Sequence, residues 1–97
     1  MINRIKQLIL DGDYEIKFVK KFRGLDNNIP IKGFIMPDSD TILINKNLSR
    51  KEKTITIIHE FLHEIEPKWS ESRVEVKSLN IYNKLKDNDK KFFKNIL

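Results

Sequence analysis

The chain has no cysteine among its 97 residues. This absence excludes a disulfide framework, a thiolate metal cluster and a cysteine nucleophile, so a bound metal must be held by nitrogen and oxygen atoms. It also favours a cytoplasmic protein. Long apolar runs are missing as well: none approaches the roughly 18 residues that span a bilayer, and the first six residues are interrupted by polar side chains. We therefore expect neither export nor membrane insertion.

Repeats, low-complexity segments and domain boundaries are also lacking. A chain of 97 residues can bury roughly 60 to 70% of its unfolded surface in one modest core. The sequence therefore predicts a single domain over residues 1–97.

Acidic residues are in the minority. There are 14 Asp and Glu against 19 Lys and Arg, which gives a net charge of +5 and a pI near 9.5. The lysines are dispersed and interleaved with acidic residues, a pattern typical of solvated faces, and a functional basic patch is the alternative.

Hydrophobic spacing predicts an α+β fold. The first half combines a short amphipathic helix with a small, mainly antiparallel three-stranded sheet, whose last two strands form a hairpin across the turn at residues 37–40. A loop is expected over residues 20–30. The helix is expected over residues 2–11 and the strands over residues 14–19, 31–36 and 41–45.

The second half is predicted to be helical. Ser49 and Glu52 match a capping box, so a helix should begin near Arg50, and Pro67 should end it at or before Glu66. Its core stripe is expected at Ile55, Ile58, Leu62 and Ile65.

A further helix should begin near Ser70 or Ser72 and run to about Lys86. Asp87-Asn88-Asp89 is expected to interrupt it, before a short C-terminal helix over residues 90–97. The inner face of the longer helix is expected at Val74, Leu79, Ile81, Tyr82 and Leu85, with Ser78 allowing close approach.

The only two histidines lie in the segment His59-Glu60-Phe61-Leu62-His63, an HExxH motif. Residues four apart share one helix face, so both imidazoles can reach one Zn²⁺ ion. Glu60 lies about 100° round the helix from His59, where it can take a proton from a water as the general base. The pattern predicts the metal-assisted hydrolysis of zinc peptidases.

A catalytic zinc normally keeps three protein ligands, and without a third histidine or a cysteine the third must be a carboxylate. If two helices turn back on each other near Pro67, residues 71–75 lie beside residues 60–64. We predict Glu71 as the ligand and Glu75 as a hydrogen-bond acceptor that orients a histidine. The reverse assignment stays open, because Ser72 and Glu75 could form a second capping box that leaves Glu71 outside the helix. Glu64 and Glu66 are poorly placed.

The segment Ile42-Leu43-Ile44-Asn45, the helix around the motif and the following glutamate-bearing helix resemble the core of ImmA/IrrE-type metallopeptidases. The chain is also similar to small HExxH proteins of phages and mobile elements, in which a Ser-Glu-x-x-Val helix, here Ser70 to Val74, follows a proline turn. The resemblance covers roughly residues 41–85. It implies a minimal zincin with His59, His63 and Glu71 as zinc ligands, Glu60 as general base, and a phage-type or regulatory repressor as substrate.

Two functions follow as hypotheses. The first is a zinc metallopeptidase acting on a protein, with Tyr82 or Arg73 as a candidate donor to the developing oxyanion and strand 41–45 as an edge for an extended peptide. The second is a small basic module that binds nucleic acid or an acidic protein through residues 17–23 and the lysine-rich C-terminus, with a structural or inactive zinc site.

Overall fold

The computed structural model describes residues 1–20 and 32–97, in which one α-helix is followed by a three-stranded sheet and then by three further α-helices. The α+β fold class is as predicted. The predicted loop over residues 20–30 and the start of the predicted second strand lie almost entirely outside the described residues. The elements are α1 (Ile2–Leu10), β1 (Glu15–Val19), β2 (Gly33–Met36), β3 (Thr41–Asn45), α2 (Arg50–Ile65), α3 (Glu71–Asn83) and α4 (Asp87–Ile96).

The strand order is β1-β3-β2. The hairpin prediction is confirmed: β2 pairs antiparallel with β3, with Phe34 opposite Leu43. A 3-10 turn at Pro37–Ser39 and Asp40 in the left-handed region (φ 48°) connect them. The expectation of a mainly antiparallel sheet needs correction, because β1 runs parallel to β3 and the sheet is mixed. The short turn of a hairpin forces its two strands to run antiparallel. β1 and β3 are far apart in the chain, and a long connection permits two strands to pair in parallel.

The core lies between β3 and the surrounding helices, with α2 at its centre. Ile42 and Ile44 of β3 are fully buried. The expected core stripe of α2 was partly wrong, because Ile57 and Phe61 are fully buried together with Ile58 and Leu62, whereas Ile55 is half-buried. A helix packed against a sheet on one side and other helices elsewhere buries more than one stripe.

The ends of α3 and α4 differ from expectation. α3 ends at Asn83, and its inner face carries buried Val74 and Ser78, whereas Leu79 is 44% exposed. Asp87-Asn88-Asp89 is the first turn of α4 rather than an interruption. Lys86 is the N-cap, and Asp89, three residues later, accepts a hydrogen bond from the Lys86 N–H at 3.1 Å. Acidic residues that would disfavour a helix interior are thus favoured in this first turn.

None of the helices within the described ranges combines the length and the apolar character needed to cross a membrane.

Candidate metal centre

The helix that carries both histidines begins at a well-formed cap. Ser49 Oγ accepts a hydrogen bond from the N–H of Glu52 at 3.1 Å, as the sequence predicted. The buried hydroxyls of Thr54 and Thr56 donate to the carbonyls one turn before them, at 3.0 and 2.7 Å. The β-branched residues are therefore accommodated, and α2 continues through the motif to Ile65, just before Pro67.

Glu71 is brought to the histidines by the turn after Pro67 and by the cap of α3. Ser70 is the N-cap, and its Oγ accepts from the N–H of Arg73 at 3.2 Å, so the alternative cap at Ser72 does not form. Glu71 is thus the first residue of the helix, where a carboxylate is also favoured by the helix dipole.

The side chains of His59, His63 and Glu71 converge on one point. Glu71 Oε1 lies 2.7 Å from His59 Nε2, and its Oε2 lies 2.8 Å from His63 Nε2. The two Nε2 atoms are 3.1 Å apart. The carboxylate thus lies across both imidazoles, although 69% of its side-chain surface is exposed.

This donor set fits a metal ion. The three residues form the one such group found in the described part of the chain, and their ligand atoms lie within 4.8 Å of one another. Three ligands of a tetrahedral zinc, each about 2.0–2.2 Å from the ion, lie about 3.3 Å apart. The two Nε2 atoms, 3.1 Å apart, are already close to that spacing. Glu71 contacts the two imidazoles through different oxygens, so its carboxylate would turn to place one oxygen on the ion.

Glu60 lies beside this group in a cavity of about 640 Å³ that is also lined by His59 and Glu71. Burial raises the pKa of Glu60 from 4.5 to about 7; the neighbouring charges of Glu71 and Glu64 also raise it, and that of His63 lowers it. A cation held by the histidines would act in the same direction as His63 and favour the carboxylate form.

The other carboxylates considered from sequence lie elsewhere. Glu75 lines the same cavity as Glu71, but in the described part of the chain it makes no hydrogen bond to either imidazole, so the predicted orienting contact is absent. Glu64 accepts a hydrogen bond from the Tyr14 hydroxyl at 3.1 Å, and Glu66 is the C-cap of α2. Neither belongs to the group of three residues that could hold a metal ion.

The two candidate oxyanion donors are placed away from this cavity. The ring of Tyr82 lies below the Lys51 ammonium, 5.7 Å from it, and lines a different cavity. The Arg73 guanidinium lies 4.4 Å from the centre of the Trp69 ring. Neither residue lines the cavity that is lined by His59, Glu60 and Glu71.

One wall of this cavity was not anticipated. Gly33 of β2 lines it, together with Lys32 and Lys51. A Cβ on Gly33 would lie 2.5 Å from Thr56 Cγ2, so the absence of a side chain lets β2 approach α2. A glycine inside a strand indicates from sequence that another segment approaches closely there, but it does not indicate which segment.

The prediction that strand 41–45 offers a free edge to a peptide substrate is wrong, because β3 is the central strand and both its sides are paired. Within the described residues, β2 pairs with β3 alone, which makes β2 the edge strand next to the cavity.

Comparisons with known proteins return no match to this chain, whether with protein-family models, with curated proteins or with solved structures.

Proposed function

We propose that this chain is a zinc-dependent metallopeptidase that hydrolyses peptide bonds in a protein substrate. The observation that carries the proposal is the convergence of His59, His63 and Glu71 on one point, with Glu60 in the same cavity. Two imidazoles and one carboxylate are the ligand set of a well-known class of catalytic zinc site, which leaves a fourth position for water.

The roles of the residues follow from their placement. The bound zinc would supply a Lewis acid that polarises the peptide carbonyl and acidifies a water molecule. Glu60 would accept the proton of the attacking water and then pass it to the leaving amine. His59, His63 and Glu71 would hold the ion.

The cavity supports an extended peptide as substrate. β2 borders it through Gly33, and a peptide strand can add to the edge of a sheet by main-chain hydrogen bonds. Half-buried Ile55 and exposed Leu79 supply apolar surface on the cavity wall. A regulatory or phage-type repressor in the cytoplasm is the substrate to test first, as the family resemblance implies.

The test compares wild type with Glu60→Gln. Both proteins are purified without chelator, their zinc content is measured by mass spectrometry, and hydrolysis is followed on candidate repressors and a quenched-fluorescent peptide library. We expect both to bind one equivalent of zinc, and the variant to lose about 100-fold or more in rate, since general-base catalysis contributes about 10²–10⁴-fold.

Glu64→Gln is the matched control, because Glu64 lies on the same helix but hydrogen-bonds to Tyr14; it should retain activity. Zinc binding without hydrolysis of any substrate would contradict the peptidase proposal and favour a structural zinc site. Failure of the wild type to bind zinc would contradict the metal site itself.

The basic binding module is a second candidate function, favoured by a separate observation: lysines of α4 and the first turn of α2 line a second cavity. Such binding would not require catalysis at the candidate metal centre.

A further inference from the structure

A cavity of about 490 Å³ lies on the α4 side of α2. Residues from α2, α3 and α4 line it, and five of them are cationic. Among the described residues, no acidic side chain takes part in this lining. The five cationic residues, which we call the basic cluster, are Arg50, Lys51, Lys90, Lys91 and Lys94.

The charges of the basic cluster are exposed and uncompensated. All five residues are solvent-exposed. In residues 1–20 and 32–97, the lysines paired with carboxylates are Lys6 and Lys17, so no member of the cluster has a carboxylate partner there. Mutual repulsion of unpaired cations is unfavourable, and an anionic partner would relieve it.

The fold creates this cluster from two distant segments. The first turn of α2 contributes Arg50 and Lys51, and α4 contributes three lysines on neighbouring turns. In the sequence these basic residues are interleaved with Asp and Glu, but in the part of the folded chain that is described only the basic ones line this cavity. By contrast, four glutamates line the cavity of the candidate metal centre: Glu52, Glu60, Glu71 and Glu75.

The cavity also contains an aromatic surface. The half-buried Tyr82 ring lines it, with the Lys51 ammonium 5.7 Å from the ring centre. Buried Thr54, Leu85 and Phe93 form its floor. Cations beside an accessible aromatic ring are the combination that binds single-stranded nucleic acid, because phosphates meet the cations while a base stacks on the ring.

We propose that the basic cluster and Tyr82 form a binding site for single-stranded nucleic acid. The charge complementarity and the aromatic ring together favour this partner over an acidic peptide, which would use the cations but not the ring. Contacts between lysines and phosphates do not depend on the base sequence, so the proposed binding of the strand is sequence-independent. Lys51 lines both cavities, so a bound strand would lie next to the metal centre.

The test measures fluorescence anisotropy of a labelled single-stranded DNA of about 12 nucleotides, over a range of salt concentrations. The charge variant is Lys90→Gln, Lys91→Gln and Lys94→Gln combined. Its matched control, Lys46→Gln, Lys68→Gln and Lys77→Gln combined, removes the same charge from exposed residues outside the cavity.

We expect the cluster variant to bind about tenfold or more weakly and to reduce the slope of log affinity against log salt by about 2, since each phosphate contact to a single strand contributes about 0.7. The control variant should keep the wild-type slope. Equal weakening by both variants would overturn the proposal, because net charge alone would then explain the binding.

Variants of Tyr82 distinguish binding of nucleic acid from binding of other polyanions. Tyr82→Leu should weaken binding about fivefold or more by loss of base stacking, and Tyr82→Phe should retain it. Circular dichroism and thermal melting establish that each variant is folded. The proposal is overturned if wild type shows no saturable binding at low salt, if Tyr82→Leu binds as well as wild type, or if polyglutamate binds more tightly than DNA.

Discussion

The carboxylate of Glu71, the first residue of α3, lies across the imidazoles of His59 and His63, with one oxygen 2.7 Å from the first and the other 2.8 Å from the second. Seven residues lie between His63 and Glu71 in the chain. The proline turn and the Ser70 cap bring them together.

Glu71→Gln should therefore weaken zinc binding far more than Glu75→Gln. Both glutamates are exposed on the same helix and line the same cavity, so the pair is matched in charge and position. Mutation of a residue that only hydrogen-bonds to a metal ligand typically lowers metal affinity about 10–100-fold, and removal of a ligand itself should lower it at least as much. Competition titration with a chelating dye measures the difference. A larger loss of zinc affinity for Glu75→Gln would show that Glu75, and not Glu71, is the third ligand.

Zinc binding should also stabilise the fold. At free zinc about 100 times the dissociation constant, the free energy of unfolding should rise by about 2.7 kcal/mol, because the ion binds the folded state. His59→Gln combined with His63→Gln should abolish this increase, as measured by urea unfolding with and without zinc. An equal increase in the double variant would show that zinc binds elsewhere.

Gly33→Ala should destabilise the protein through a single contact. The new Cβ would lie 2.5 Å from Thr56 Cγ2, which is buried and held by the hydrogen bond of its hydroxyl to the Glu52 carbonyl. We expect a loss of about 1–3 kcal/mol, typical of overpacking.

Thr56→Ser removes the clashing methyl and keeps the hydroxyl, so the combined variant should recover much of the loss; recovery is incomplete because the new Cβ also lies 3.3 Å from the Leu43 carbonyl oxygen. A double-mutant cycle in urea measures the coupling. Simple additivity of the two changes would rule out this contact as the cause.

Asp89 links α4 to α1 by an ion pair with Lys6. The hydrogen bond from Lys6 lowers the pKa of Asp89 below 3.8, and the backbone N–H of Lys86 adds to this shift, although burial opposes it. A lowered folded-state pKa means that the charged form stabilises the fold above the unfolded pKa, and that this contribution is lost as pH falls through the folded pKa.

Asp89→Asn should thus cost about 1.5–3 kcal/mol at neutral pH, the range for a hydrogen bond to a charged group, and progressively less below about pH 4. Asp87→Asn, an exposed residue of the same first turn, is the control and should cost little. Urea unfolding at several pH values measures both. A cost for Asp89→Asn that does not change with pH would contradict the charge-based account.

Much of the candidate site followed from local patterns. The spacing of His59 and His63 places them on one helix face, Ser49 marks where that helix begins, and Pro67 marks where it ends. Glu71 was preferred because a short turn after Pro67 leaves few carboxylates within reach. The choice between the Ser70 and Ser72 caps could not be made locally, since serine is a favoured N-cap at either position and only Ser72 also has a capping-box glutamate, Glu75; the structure nevertheless selects Ser70.

Other features depended on contacts between distant segments. Local pattern placed Ile55 in the core stripe of α2, whereas the structure assigns fully buried positions to Ile57 and Phe61 and leaves Ile55 half-buried at the cavity wall. A run of four residues from Ile55 to Ile58 offers more than one helix face, and the elements that cover α2 decide which faces are buried.

By itself, the sequence determined the helix that carries the motif, its ends, the hairpin and the set of residues able to bind a metal without thiolates, because these depend on interactions over a few residues. Tertiary structure alone decided that β1 joins β3 in parallel, that β2 and not β3 is the edge strand, among the described residues, beside the candidate metal centre, and that lysines of α4 meet Arg50 and Lys51. Such pairings join segments far apart in the chain, and they are selected by burial of the shared core rather than by any local preference.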